Sequence, residues 1–301
     1  MQTVNLSYSP ADENLDCKPE PCVMALGFFD GVHRGHRKII ETAGEIAREK
    51  NLKLAVMTFS PHPSQVIPGN KKIVNYLTPL PVKEKIFRDL GVEILYVVNF
   101  NRDFSRLSHE GFTKLFLEGL KCRHAVAGFD FQFGFKGLGN MEWLTSAGKN
   151  KFDVTTVTKL TERDIKISST HIRNLLNSGQ VQLISAFLGR QYETSGIIVK
   201  KAFKDKKGKC KLVRIEAGEE CYLPADGYYL TEVSDGKRRY KGICNTSGGN
   251  VLEILLFEFA RFEAEEVTVN WLEKQSGTFS AQVKQDLFDY MAAERQASRV
   301  I

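Results

Sequence analysis

The chain has 301 residues, 42% hydrophobic and 26% charged, a balance that fits folded globular domains and excludes disordered or fibrous classes. Its net charge of +6 and pI near 8.9 are mildly basic, which suits a polyphosphate-handling enzyme as well as a nucleic-acid binder. The opening MQTVNLSYSPADENLDCKPE has no apolar core and no run reaches membrane-spanning length, so neither leader nor span is expected, and the cytoplasm is the expected compartment.

In chain order, residues 23–26 (VMAL) form an apolar run short enough for a buried strand, and they feed directly into GFFDGVHRGH at 27–36. Gly27, Gly31 and Gly35 let backbone approach a ligand closely. His33 and His36 follow at the mouth of a helix whose free N–H groups favour anions. Imidazoles placed there can donate to phosphoryl oxygens and favour transition-state charge over ground-state charge. A single histidine in this position reads as a helix cap. Two, three apart, among only six in the chain, point to phosphate chemistry.

A helix is expected over 37–50, with Ile39, Ile40, Ala43, Ile46 and Ala47 at helical spacing. The strand expected over 52–59 runs into Ser60-Pro61-His62-Pro63, a rigid loop from which His62 either faces a substrate or lies in solvent. Helices over 81–90 and 108–120 flank a strand over 94–100. The strand over 125–129 overlaps GFDFQFG (128–134), where an aspartate among aromatics suits either core packing or a planar heteroaromatic ligand. After a strand over 154–160 comes KISSTHIR (166–173), in which Ser168, Ser169 or Thr170 can cap a helix and Arg173 falls a turn later, within reach of a polyphosphate. Alone that stretch is no more than a cap. The strand–helix alternation predicts an α/β, Rossmann-like, doubly wound parallel sheet with ligands beyond the carboxyl ends of its strands.

Beyond residue 190 the texture changes to short β-rich runs at 196–199, 211–215, 228–233, 252–259 and 267–271, as in a small antiparallel barrel or sandwich, with a closing helix over 282–297. All histidines precede residue 172, so any histidine chemistry belongs to the first domain. The cysteines (Cys17, Cys22, Cys122, Cys210, Cys221, Cys244) are scattered without a CxxC, so neither zinc nor a disulfide framework is expected.

Together GFFDGVHRGH, TFSPHP (58–63), GFDFQFG and ISSTHIR (167–173) resemble, in order, the adenylyltransferase motifs of the bacterial FAD synthetase family of flavokinase/FMN adenylyltransferases. LGRQY (188–192) is similar to the family's linker, with glutamine where proline is usual. The resemblance implies a nucleotidylyltransferase domain over 1–187 and a riboflavin kinase-like β-barrel domain over 188–301. It implies transfer of AMP from ATP to FMN, giving FAD and pyrophosphate, with Mg²⁺ accompanying ATP and no metal ligand from the chain. On the matching positions, His33, His36, Ser169 and Arg173 would be the catalytic groups. Gly27, Phe28, Phe29, Asp30, Gly31, Gly35, Ser168 and Thr170 would bind ATP, and Pro61, His62, Pro63, Asp130 and Phe131 would bind FMN.

The second domain departs from the family. Its relatives carry a G-x-G-R-x-L-G-F-P-T-A-N stretch whose Thr and Asn organise Mg-ATP. Here IIVKKAFKDKKGKCKLVRI stands instead, and the P-T-A-N slots fall on Lys211, Leu212, Val213 and Arg214. Leucine cannot ligate Mg²⁺, and arginine repels it. The flanking PADGYY (224–229) and Val251-Leu252-Glu253 resemble the surviving skeleton, with Glu253 at the position of the family's base. A folded barrel without kinase activity is the expectation; a retained bifunctional enzyme is the alternative. The basic run 200–211 reads as a solvated hairpin. The rival from a different class, a flavin-sensing or RNA-binding regulatory module, is opposed by its single aromatic, Phe203, and its lack of a recognition helix. No membrane partner is expected, and the sequence carries no signal for oligomeric state.

Overall fold

The computed structural model describes residues 1–11, 15–69, 73–162, 164–204 and 208–275, and the chain divides into two compact units, Met1–Ser169 and Thr170–Ile301. In the first, β1 (Gln2–Leu6) and β2 (Cys22–Leu26) precede α1 (Arg34–Lys50), and β3 (Lys53–Ser60) leads into α2 (Pro63–Val66) and α3 (Leu80–Asp89). After β4 (Ile94–Asn99) come α4 (Arg102–Arg106), α5 (His109–Phe112) and a π-helical stretch, Thr113–Glu118. Then follow β5 (Cys122–Gly128), α6 (Met141–Gly148), β6 (Asp153–Val157) and a small hairpin of β7 (Thr161–Glu162) and β8 (Ile165–Lys166).

The six-stranded sheet runs β1–β4–β3–β2–β5–β6 with every neighbour parallel, the doubly wound sheet expected from the sequence. From β2 the chain walks outward through β3 and β4, then returns to place β5 on the other side of β2. The carboxyl ends of β2 and β5 therefore form the topological switch point, where such sheets bind ligands. All five residues of β2 are buried. Met24 and Leu26 face one core with Met57 and Phe116, while Val23 and Ala25 face another with Ile40, Ala43 and Phe87. Burial on both faces is why this strand reads as an unbroken apolar run.

Helix α1 starts three residues earlier than its apolar spacing indicates, because His33 caps it, and ends at Asn51 in the left-handed region (φ 52°). The helix expected over 108–120 divides into α5 and the π-helical stretch. Strand β1 was not anticipated: QTVNL is mostly exposed and polar, and it becomes a strand by pairing along one edge with β4.

Helix α7 (Ser169–Asn177) begins at the division, and α8 (Val181–Leu188) follows. The second unit is a closed antiparallel barrel, order β10–β13–β12–β11–β14–β9, of β9 (Tyr192–Lys204), β10 (Cys210–Ala217), β11 (Tyr228–Ser234), β12 (Arg239–Gly248), β13 (Val251–Ala260) and β14 (Glu266–Lys274). Strand β12 was not anticipated, its RYKGICNTSG lacking a sustained apolar alternation. A Cβ at its Gly242 would lie 2.5 Å from the Leu255 carbonyl oxygen, so glycine lets β12 and β13 close on each other. The helix expected over 282–297 lies outside the described residues.

The barrel interior centres on fully buried Trp271, whose Nε1 donates to Thr194 Oγ1 at 2.8 Å and whose ring meets Tyr229 edge-on at 5.4 Å. Trp271→Ala is expected to destabilise the barrel by about 3–5 kcal/mol through the cavity it leaves, and Trp271→Phe by only about 1–2 kcal/mol. Denaturant unfolding followed by far-UV circular dichroism measures both. Equal losses would assign the cost to the hydrogen bond instead of to packing.

Candidate active site

The site begins where β2 ends. A Cβ at Gly27 would lie 2.9 Å from the Phe29 ring, so glycine makes room for that ring to fold back. The turn then passes through positive φ at Phe29 (55°), Gly31 (86°) and Val32 (40°), two of them residues that resist that region. Other segments hold it there. Asp30, 4% exposed, accepts the Thr78 N–H at 3.1 Å through Oδ1, and its carbonyl accepts Ser169 Oγ at 2.8 Å. The Phe28 carbonyl accepts both Thr58 Oγ1 at 2.9 Å and Lys83 Nζ at 2.8 Å.

His33 is the N-cap of α1: its Nδ1 accepts the backbone N–H of His36 at 3.2 Å. A ring nitrogen that accepts carries no proton, so the cap fixes His33 as the neutral tautomer with hydrogen on Nε2. The His36 ring stacks on it at 3.6 Å, 14° from parallel, and stands perpendicular to the Phe29 ring at 5.3 Å. Burial, then His33, then Lys83 hold His36 well below the usual imidazole range, so it too is neutral. Its Nδ1 is shielded and makes no hydrogen bond among the described residues, which leaves Nε2 to face a ligand.

A cleft of about 560 Å³ opens beside this loop at the carboxyl ends of β2 and β5. Gly27, Phe28, Phe29 and His36 form one wall, Gly128, Asp130, Phe131, Gln132 and Phe133 another, and Phe59, Phe100 and Phe104 an aromatic floor. Asp130 at its rim pairs with Lys166 at 2.8 Å, both side chains well exposed. The lining is apolar and aromatic with a few polar groups, the usual make-up of a site for a planar ligand.

Of the expected residues, Gly27, Phe28, Phe29, His36, Pro63, Asp130 and Phe131 line the cleft, and His33 stacks behind His36. Asp30 and Gly31 shape the turn, and Gly35 gives the His33 ring room, since a Cβ there would meet it at 3.2 Å. Pro61 and His62 do not line the cleft: His62 caps α2, accepting the Ser64 N–H at 3.1 Å, and sets its ring edge-on to Phe28 at 4.5 Å. Ser168 directly precedes α7, whose first residue, Ser169, bonds to Asp30. Thr170 and Arg173 follow on α7 in the second compact unit, where the Arg173 guanidinium lies 5.6 Å above the Tyr222 ring. Sequence reasoning missed Lys83 and the floor phenylalanines. A signal for Lys83 existed: it shares the buried face of α3 with Ile86 and Phe87, an odd place for a lysine.

A family model described as FAD synthetase matches residues 16–171. The bifunctional riboflavin kinase/FMN adenylyltransferase of Bacillus subtilis (strain 168) is 38% identical to this chain, covering 91% of it and 85% of its own length. The Listeria monocytogenes protein of the same name is also 38% identical, covering 83% of each chain. Among solved structures, one named macrolide-efflux protein from Streptococcus pneumoniae matches with a TM-score of 0.77 and 25% identity, over 91% of this chain and all of that one.

The neutral His36 gives the fold an acid sensitivity. Because its folded pKa is depressed, the stabilisation is complete above the ordinary imidazole pKa of about 6.5 and is lost as pH falls below it, by up to about 1.4 kcal/mol per pH unit. Denaturation at pH 7.5 and 5.5 should show a larger loss for the parent chain than for His36→Asn. Equal losses would mean that His36 protonates as readily folded as unfolded.

Proposed function

Because the chain belongs to the FAD synthetase family, we propose that it transfers AMP from ATP to the phosphate of FMN, releasing pyrophosphate and FAD, and that its barrel does not phosphorylate riboflavin. The observation that carries the first part is the aromatic cleft at the switch point with a neutral histidine in its wall. The isoalloxazine lies among the phenylalanines, with Asp130, Phe131 and Pro63 around it, and the FMN phosphate is directed toward the turn.

The reaction needs no covalent protein intermediate. An FMN phosphate oxygen, already anionic at neutral pH, forms a bond to the α-phosphorus of ATP while the bond from that phosphorus to the bridging oxygen breaks, and pyrophosphate departs. The chain's work is alignment and electrostatic stabilisation. Nε2–H of His33 and of His36 donate to phosphoryl oxygens at the positive end of α1. Gly27, Phe28, Phe29, Gly31 and Gly35 shape the nucleotide side, Asp30 fixes the turn, and ISSTHIR supplies Ser168, Ser169, Thr170 and Arg173 to the triphosphate. In this reading residues 1–187 carry the transferase and 188–301 the barrel.

Mg²⁺ fits this site as a nucleotide-borne ion. The loop's own carboxylate, Asp30, is buried and committed to the Thr78 N–H, and no group of three or more His, Cys, Asp or Glu among the described residues is placed to hold a metal. Carried in on the ATP phosphates, Mg²⁺ would supply positive charge against the pyrophosphate leaving group, while the chain's own residues orient the nucleotide. No helix among the described residues is long and apolar enough to cross a membrane; we assign the enzyme to the cytoplasm, where it meets ATP and FMN.

Loss of the kinase is supported by what occupies its site. Arg214 Nε donates to Glu253 Oε1 at 2.8 Å, with both side chains largely shielded. Lys211 donates to the Phe257 carbonyl at 2.8 Å, and Leu212 and Val213 are buried. The Glu253 carboxylate is thus committed to a guanidinium through Oε1, and a cation in that place opposes Mg-ATP.

Supplied separately with ATP and Mg²⁺, FMN is expected to yield FAD and riboflavin to yield neither FMN nor FAD. Appreciable FMN from riboflavin would overturn the kinase assignment. His36→Ala is expected to slow FAD formation by roughly 10²–10³-fold with an unchanged circular dichroism spectrum. An unchanged turnover would reject the transferase site.

A further inference from the structure

Lys83 on α3 is 3% exposed, and a buried ammonium is tolerated only where hydrogen bonds and π-faces replace water. Its Nζ donates to the Phe28 carbonyl at 2.8 Å and stands 4.0 Å from the centroid of the Phe28 ring and 6.0 Å from that of Tyr76. The same carbonyl accepts Thr58 Oγ1, so two donors from different elements grip the residue that precedes Phe29 and its positive φ. Phe28 is also a wall of the cleft, and Phe29 is the ring against which His36 rests. A methionine or leucine would fill the space under α3 without the desolvation that a charge brings, so fold stability alone does not account for lysine here.

We propose that Lys83 is a positioning residue for adenylyl transfer: by clamping the carbonyl and the ring face of Phe28 it fixes the turn that sets the flavin wall and His36 together. The proposal rests on the transferase reading above. It has an electrostatic consequence besides the mechanical one. Among the described residues, the charged and titratable groups that act on His36 are His33, stacked within the same turn, and Lys83 from α3; Asp30 in that turn is engaged with the Thr78 N–H. Lys83 thus helps to keep the His36 ring uncharged, which a purely space-filling residue would not do.

The test is Lys83→Met in the full-length chain, with two readouts. In the unliganded protein, the NMR titration of the His36 ring is expected to move up toward the ordinary imidazole range. In turnover, kcat for FAD formation is expected to fall by about tenfold or more, in line with misplacing a catalytic group by a fraction of an ångström, with KM for ATP changed far less. Lys83→Arg, which keeps the charge, should leave the titration in place. An unmoved titration together with a parental kcat in Lys83→Met overturns the proposal. Should methionine not fold, Lys83→Gln takes its place on the same criteria: an upward shift with a lowered kcat supports the proposal, and an unmoved titration with a parental kcat overturns it. The titration needs no substrate, so it separates failure of this proposal from failure of the transferase assignment, which the parent chain's own FAD formation decides.

Discussion

The candidate site depends on one hydrogen bond, from the His36 backbone N–H to Nδ1 of His33. Serine or aspartate would cap α1 at least as well by the usual preferences. An aspartate would set a negative charge beside the anion that the helix end is placed to receive, and a serine would offer a shorter reach. A neutral imidazole satisfies the helix donor with one nitrogen and keeps a proton on the other. The same bond lays the His33 ring flat against His36, and two stacked imidazoles resist being charged together. Cap, tautomer and neutrality are therefore one constraint, and Gly35, with no Cβ to strike the His33 ring, is what permits it.

Much of this was legible in the sequence because it is local. GFFDGVHRGH carries its turn, cap and stack within ten residues, and the strand–helix alternation specifies the parallel sheet whose switch point holds the cleft. What local pattern could not give is what topology assembles. Phe59 is the penultimate residue of β3, while Phe100 and Phe104 follow β4, and they meet as a floor only once the parallel strands are in register. His62, which TFSPHP leaves open between a substrate and solvent, caps α2 by accepting the Ser64 N–H two residues on, a local bond that the proline-flanked pattern did not single out. Strands β1 and β12 lack a sustained apolar alternation, and it is pairing with β4 for the one and with β11 and β13 for the other that completes them.

The barrel shows the converse. Its interior is complete: Trp271, Tyr229, Val213 and Ile254 are fully buried, and the ladder closes through all six strands. The departure lies at Arg214, which sits directly across the ladder from Glu253 and pairs with it. Opposite charges on facing strands support a sheet, whereas a carboxylate left unpaired there would have been a desolvated charge. Arg214 thus accounts for the carboxylate in terms of stability, because it gives Glu253 a partner across the ladder.

The turn after β2 makes the opposite choice. Phe29 and Val32 at positive φ each cost about 1–3 kcal/mol, and nothing in their own sequence compensates. The restoring contacts come from Thr58 at the end of β3, Thr78 and Lys83 around the start of α3, and Ser169 at the head of α7. Four residues from three distant segments thus hold one strained loop. The loop's shape is a consequence of the finished fold, so its donors stand in place before any nucleotide arrives. Preorganised donors need no reorientation when charge develops on the transferring phosphorus, which is where electrostatic catalysis gains most over water. On that argument the strain is not a defect tolerated near the site but part of how the fold seats His36 in the cleft wall, between the Phe29 ring and the His33 stacked behind it.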